Sequence, residues 1–149
     1  MIEIISGNFY KKISDKLSTE IDISKLPLYG EKEIFKPNSG RYGKIKIKLE
    51  IENDLETLNS IESFNVALNP INTNYHTYKW DVDEKKLPKG FEQYVKPEII
   101  KFIEIFTIFN KNNNDIFRFS VIDGGYRDTE RPAHMLAVKY ALIEIFNQI

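Results

Sequence analysis

The sequence predicts an α+β protein: a two-layer sandwich in which a mostly antiparallel sheet is covered by two helices on one face. Residues 44–52, KIKIKLEIE, alternate strictly between apolar and charged side chains, which is the period of a strand with one buried face. Residues 91–109 and the residues after Pro132 place apolar side chains at steps of three and four, which is the period of a helix. Strand patterns dominate early and helices come late, so the helices are expected to pack together on a sheet.

The strand at residues 44–52 has further predicted strands before and after it. Residues 30–37, GEKEIFKP, predict a shorter partner strand ended by Pro37, and residues 38–43, NSGRYG, predict the loop between the two. Residues 63–70 and 75–82 alternate as two more strands, joined most simply as a hairpin, and residues 115–122 alternate again. One face of the sheet is therefore expected to carry six apolar side chains, namely Ile45, Ile47, Leu49, Phe117, Phe119 and Val121.

The two predicted helices differ in how clearly the sequence marks their first turn. Pro97 predicts either a kink in the first helix or its first turn. The second helix is expected to start near Pro132 and to carry one apolar stripe beside one stripe of small residues that allows close approach to the sheet. The first stripe is Met135, Val138, Leu142, Ile145 and Ile149, and the second is Ala133, Ala137 and Ala141.

A chain of 149 residues is expected to form a single domain. Its core is expected over residues 31–149. Residues 1–30 are expected to form an N-terminal extension without an assigned fold, in which residues 9–17 suggest a short helix and residues 19–23 a short strand. No apolar run reaches membrane-spanning length and no secretion signal is visible, so we expect a cytoplasmic protein with no membrane partner.

The charged residues are clustered, although the net charge is only −1. Residues 36–48 contain basic side chains and no acid, whereas residues 50–62 contain acidic side chains and no base. Such runs are most often two solvated faces that balance each other, and the alternative is that one of them binds a partner of opposite charge. The basic residues are Lys36, Arg41, Lys44, Lys46 and Lys48, and the acidic ones are Glu50, Glu52, Asp54, Glu56 and Glu62.

No motif in the chain predicts catalysis. There is no cysteine, no phosphate-binding glycine loop followed by lysine, no dinucleotide fingerprint and no nucleophile elbow. His76, beside aromatic residues, is expected to be partly buried, and His134, in the first turn of the last helix, is expected to lie at the surface or in an interface. We therefore expect no enzyme, no cofactor, no metal site and no GTP binding.

Two segments of the chain resemble domain IV of elongation factor G and related translational GTPases. They are NSGRYGKIKIKLE and VIDGGYRDTERPAHMLAVKYA. The first matches the family's glycine-rich loop before a long alternating strand through Gly40, Arg41, Tyr42 and Gly43. The second matches a strand, a loop and a helix through Asp123, Gly124, Tyr126 and Asp128, followed by Ala137, Val138, Lys139 and Ala141. Residues 87–95, LPKGFEQYV, resemble the opening of the family's middle helix.

The resemblance implies a ribosomal-protein-like sandwich with a left-handed crossover around the middle helix. It also implies that both loops meet at one end of the molecule, the end that enters the decoding centre in the family. The chain carries no GTPase motif, and the histidine at the family's tip is replaced by Arg127. A stand-alone module is therefore implied, rather than an elongation factor.

Our functional expectation is a non-enzymatic module that binds RNA or the ribosome through loops 38–43 and 123–131. The arginines would contact phosphates, and Tyr42 or Tyr126 could stack on a base. The candidate binding residues are Ser39, Gly40, Arg41, Tyr42, Tyr126, Arg127, Asp128 and Arg131. The alternative is a protein-binding antagonist, such as an immunity protein against a toxin, that presents the acidic run at residues 50–62 to a basic partner.

Overall fold

The computed structural model describes residues 13–59, 76–110 and 115–149. Its strands are β1 (Leu28–Lys36), β2 (Arg41–Ile51), β3 (Thr77–Trp80), β4 (Phe117–Gly125) and β5 (Arg131–Pro132). The long helices are α1 (Glu92–Phe109) and α2 (His134–Phe146), residues 55–59 are also helical, and short 3-10 helices occur at Ser14–Lys16, Ile23–Lys25, Pro37–Ser39 and Lys89–Phe91. The predicted α+β class is confirmed.

The sheet has the order β1-β2-β4-β3, with β5 added to β2. The pairs β1/β2 and β2/β4 are antiparallel, whereas β3/β4 and β5/β2 are parallel. Because β3 and β4 are parallel neighbours, α1 is the crossover that connects them. The predicted strand at residues 63–70 and its hairpin lie outside the described residues.

The core lies between the sheet and the two helices. All six side chains predicted for the covered face, Ile45, Ile47, Leu49, Phe117, Phe119 and Val121, are fully buried. The ring of Phe102 in α1 lies 5.9 Å from that of Phe119 in β4 and 5.1 Å from that of Phe146 in α2. One aromatic cluster therefore joins both layers, at separations typical of favourable ring pairs.

Glycine and alanine bring α2 close to the sheet. A Cβ atom at Gly30 would overlap the backbone carbonyl of Ala141, and one at Gly43 would lie 2.7 Å from the backbone nitrogen of His134. The predicted small stripe is confirmed, since Ala133, Ala137 and Ala141 are all buried. The prediction that Met135 belongs to the buried apolar stripe is wrong, because its side chain faces outward and is 47% exposed.

The described part of the N-terminal segment packs on the same core. Ile13, Leu17 and Ile21 are buried in it, and the side chain of Asn110 donates to the Leu17 and Thr19 carbonyls at 3.0 and 2.8 Å. Residues 14–16 form a 3-10 helix, and the rest of the helix suggested over residues 9–17 lies mostly outside the described residues.

Three sequence predictions about element boundaries need correction. The strand predicted at residues 19–23 does not form, because the Asp22 carboxylate caps a 3-10 helix by accepting from the Ser24 backbone amide at 3.0 Å. Pro97 lies in the sixth position of α1 and not in its first turn, so the helix begins five residues before the proline. Both predicted loops are shorter than expected, because residues 41–43 belong to β2 and residues 123–125 to β4.

Candidate functional site

The two loops singled out in the sequence lie side by side at one end of the sheet. The pairing of β4 with β2 ends where Gly125 faces Lys44. The chain then loops out and returns as β5, whose Arg131 faces Arg41 in parallel register and donates its backbone amide to the Gly40 carbonyl at 2.7 Å. We call the surface formed by residues 35–43 and 126–131 the tip.

Backbone geometry explains the first loop. Pro37–Ser39 make one 3-10 turn, and Gly40 follows in the left-handed region with φ 60° and ψ 44°. Glycine adopts this region without the steric cost that a Cβ atom brings. The Ser39 hydroxyl donates to the Lys36 carbonyl at 3.2 Å, and its own carbonyl accepts from the Arg131 guanidinium at 2.9 Å. Ser39 and Gly40 therefore shape the loop and hold Arg131 against it.

Arg127 lies in the corner between two aromatic rings. Its guanidinium carbon is 4.4 Å from the ring centre of Tyr42 and 4.5 Å from that of Phe35. The two rings are 6.1 Å apart with an interplanar angle of 68°. Cation–π contacts of this kind orient a guanidinium group without neutralising it.

Tyr42 is the buried one of the two rings that contact Arg127. Only 8% of Tyr42 is exposed, and its hydroxyl donates to the Glu33 carboxylate at 2.7 Å. Burial, followed by the bond to Glu33, raises the pKa of Tyr42. The stacking role predicted for Tyr42 does not fit this geometry, because the ring is covered and bonded.

The second loop is fixed at its start. Tyr126 is half-buried, and its ring centre lies 5.0 Å from that of Phe91, the last residue of the short helix before α1. The three residues after it, Arg127, Asp128 and Thr129, are exposed. Tyr126 therefore anchors the loop, and the residues beyond it face solvent.

The tip concentrates arginines that form no ion pair with any residue that the structure describes. Three of the four arginines of the chain, Arg41, Arg127 and Arg131, lie there, and all three are exposed. Within the described ranges none of them forms an ion pair, and neither do Asp128 and Glu130. The fourth arginine, Arg118 on β4, is by contrast bonded to Glu50 at 2.6 Å and paired with Glu52 at 3.3 Å.

The sheet face opposite the helices is neutralised internally. Lys44 pairs with Glu31 at 3.2 Å, and Lys48 pairs with Glu50 at 2.8 Å. Burial alone would raise the pKa of Glu50, but hydrogen bonds from Lys48 and Arg118 outweigh it and hold that pKa below its usual value. The basic run in the sequence therefore contributes less free charge than its composition suggests.

The first two acidic residues of the acidic run also have cationic partners. Glu52 is only 4% exposed and Glu50 is bonded to two cations. Asp54 accepts from the Glu56 backbone amide at 3.1 Å, as in a helix cap, and both residues are exposed. Glu62 lies outside the described residues. Asp54 and Glu56 are the exposed acidic residues in the part of the run that is described.

Both histidines are buried in the fold. His76 accepts a hydrogen bond at Nδ1 from the Phe117 backbone amide at 3.1 Å, and burial lowers its pKa to about 4. His134 opens α2 with 1% exposure, which corrects the predicted surface position. Its Nε2 lies 2.8 Å from the Gly125 carbonyl, so it ties α2 to the end of β4. No group of three or more metal-binding side chains occurs within the described ranges.

Phe35 also lies at the tip, although it was not among the binding residues predicted from the sequence. It is 47% exposed and lies opposite Tyr42 in the β1/β2 pair. The alternation of β1 contained the signal, because Ile34 takes the covered face and Phe35 must therefore point to the other. An aromatic residue on the uncovered face of a strand, next to a loop, predicts an exposed ring.

Comparison with known proteins adds no relative. No family model matches the chain, and no curated protein sequence is a significant match. No helix in the described ranges is long and apolar enough to cross a membrane. The resemblance to domain IV stays a hypothesis that is based on its sequence motifs.

Proposed function

We propose that this protein is a non-enzymatic module that binds RNA through the tip, with ribosomal RNA as the first candidate. The observation that carries the proposal is the convergence of Arg41, Arg127 and Arg131 at one end of the molecule, without an ion pair among the described residues. Guanidinium groups match phosphate oxygens in a bidentate manner and are weakly hydrated, which suits them to RNA backbones.

The arginines are presented on an ordered support. Arg131 is held by the β5 pairing and by its bond to the Ser39 carbonyl, and Arg127 is held by two rings. Side chains that are ordered before binding lose less conformational entropy when they bind. This arrangement favours a binding role for the tip over a role in solvation alone.

The topology also supports the proposal. The resemblance to domain IV implies a crossover around the middle helix and two loops that meet at one end. A crossover through α1 and the contact between residues 39–41 and 131 agree with that arrangement. Fold likeness alone does not carry function, so the weight rests on the arginines.

The antagonist alternative has less support. It needs a free acidic surface, and Glu50 and Glu52 are engaged by Lys48 and Arg118. Charges that already have partners contribute little to steering a basic protein.

The test is binding of a labelled single-stranded RNA of mixed sequence, followed by fluorescence anisotropy over a range of salt concentrations. Arg41→Ala/Arg127→Ala should weaken binding and lower the slope of log K against log salt by roughly 0.7 per lost phosphate contact. The matched control is Lys25→Ala/Lys101→Ala, which removes the same charge from two exposed positions outside the tip. Exposed substitutions of this kind usually change stability by about 0.5 kcal/mol or less, so both variants should melt like the parent.

Equal losses in the two double variants would show that binding follows net charge and that the tip is not the site. Absence of RNA binding, together with capture of a basic protein that depends on Asp54 and Glu56, would replace the proposal with the antagonist function.

A further inference from the structure

We infer that the tip recognises an unpaired nucleotide, with Phe35 as the platform on which its base stacks and Arg127 as the contact to the adjacent phosphate. This inference rests on the proposed function and specifies its ligand as single-stranded or looped RNA. The juxtaposition that carries it is an exposed aromatic ring in direct contact with an exposed arginine that forms no ion pair in the described part of the chain.

The Phe35 ring is accessible to a ligand. Phe35 lies on the sheet face opposite the helices, where its neighbours in β1 and β2 are mostly charged. It is 47% exposed even though Arg127 covers part of it. An exposed phenyl ring carries an unfavourable hydration cost that a stacked base would remove.

The Phe35 ring and the Arg127 guanidinium are close enough to contact one nucleotide together. Arg127 lies 4.5 Å from the centre of the Phe35 ring, so a phosphate bound by its guanidinium lies within about one nucleotide of that ring. Single-stranded nucleic acids are bound by this combination of a cation on the backbone and an aromatic ring under a base. The Tyr42 hydroxyl is bonded to Glu33, so Tyr42 serves as the support and Phe35 as the platform.

The distribution of charge favours a single strand over a duplex. A duplex presents a long track of phosphates, and proteins that bind it by shape contact two successive grooves. Two cations along β2 that could follow such a track are paired with acids, since Lys44 pairs with Glu31 and Lys48 with Glu50. The arginines that form no ion pair among the described residues lie only at the tip, which matches a short unpaired segment.

The experiment compares one labelled RNA strand of twelve nucleotides with the same strand annealed to its complement. The parent protein should bind the single strand at least about tenfold more tightly, because base stacking is available only there. Phe35→Leu should weaken single-strand binding by about tenfold while leaving the salt slope unchanged, since the phosphate contact of Arg127 remains. Phe35→Tyr, which keeps a ring, should retain the affinity.

Tyr29→Leu is the matched control, because Tyr29 is an exposed aromatic residue at the other end of the same strand and face. It should bind like the parent. Equal affinity for strand and duplex, with Phe35→Leu indistinguishable from the parent, would overturn the inference and leave the proposed RNA function intact. Absence of binding to either RNA would overturn the proposed function as well.

Discussion

Among single residues, Arg127 has contacts that leave its charge available to a ligand. The nearby acids Asp128 and Glu130 could have neutralised it, yet its contacts are with the rings of Tyr42 and Phe35. A cation held by rings keeps its charge available to a ligand, whereas Arg118, held by two carboxylates, does not. The sequence predicted Arg127 as a binding residue, but its contact with the two rings was not visible there, because that contact depends on the register that places Phe35 opposite Tyr42.

His76 makes stability depend on pH in a predictable direction. Burial lowers its pKa from 6.5 to about 4, so the folded state disfavours the charged ring. Above pH 6.5 the ring is neutral in both states and costs nothing, and between pH 6.5 and 4 the unfolded state gains protons that the folded state lacks. The free energy of unfolding should therefore fall across that window by up to about 3 kcal/mol from this residue.

The variant His76→Asn keeps an acceptor near the position of Nδ1 and does not titrate. It should be less stable than the parent at pH 7.5 because it loses packing on Phe106 and Phe117, and the gap should narrow as the pH falls. Urea unfolding at several pH values measures this. A gap that stays constant with pH would show that His76 is not the group responsible.

At the scale of elements, the alternation of β2 and the helical period of α1 predicted those elements well. The reason is that both bury one continuous face, so the pattern and the packing agree. Predictions failed where a local contact decided the structure, as with the Asp22 cap, or where orientation about the helix axis mattered, as with Met135. The short β5 has two residues and no periodicity of its own, so only the tertiary structure defines it.

The close approach of α2 to β1 gives a test at this scale. Gly30→Ala should destabilise the protein by about 1–3 kcal/mol or more, because the new methyl group would meet the Ala141 backbone, which cannot move without the helix. Gly90→Ala is the control, since a Cβ atom there meets nothing within 4 Å, and it should change stability by less than about 1 kcal/mol. Thermal or urea unfolding of both variants decides the matter. Equal effects would mean that the close packing of α2 on β1 is not formed.

Across the molecule, the two faces of the sheet have different environments. One face is the hydrophobic core, and the other carries paired charges that keep it solvated. The net charge of −1 gives no general attraction to nucleic acid, so recognition depends on where the unpaired charge lies. Residue order alone could predict which residues border the tip, but it could not predict which cations are already paired.

GTP should have no effect on this protein. The sequence contains no glycine loop followed by lysine that could hold a triphosphate. Since a ligand that binds the folded state raises the melting temperature, millimolar GTP with magnesium should leave the melting temperature unchanged. A rise that grows with GTP concentration, or GTP hydrolysis that follows the protein through purification, would contradict this expectation.

Nuclear magnetic resonance can show directly whether RNA binds at the tip. At 17.5 kDa the protein suits amide chemical-shift mapping during titration with the twelve-nucleotide single strand. If RNA binds at the tip, the largest shifts should fall on residues 35–43 and 126–131, with small shifts at residues 54–56 and along α1. Shifts that concentrate on residues 54–56 or α1 while the tip amides stay in place would show that RNA binds elsewhere.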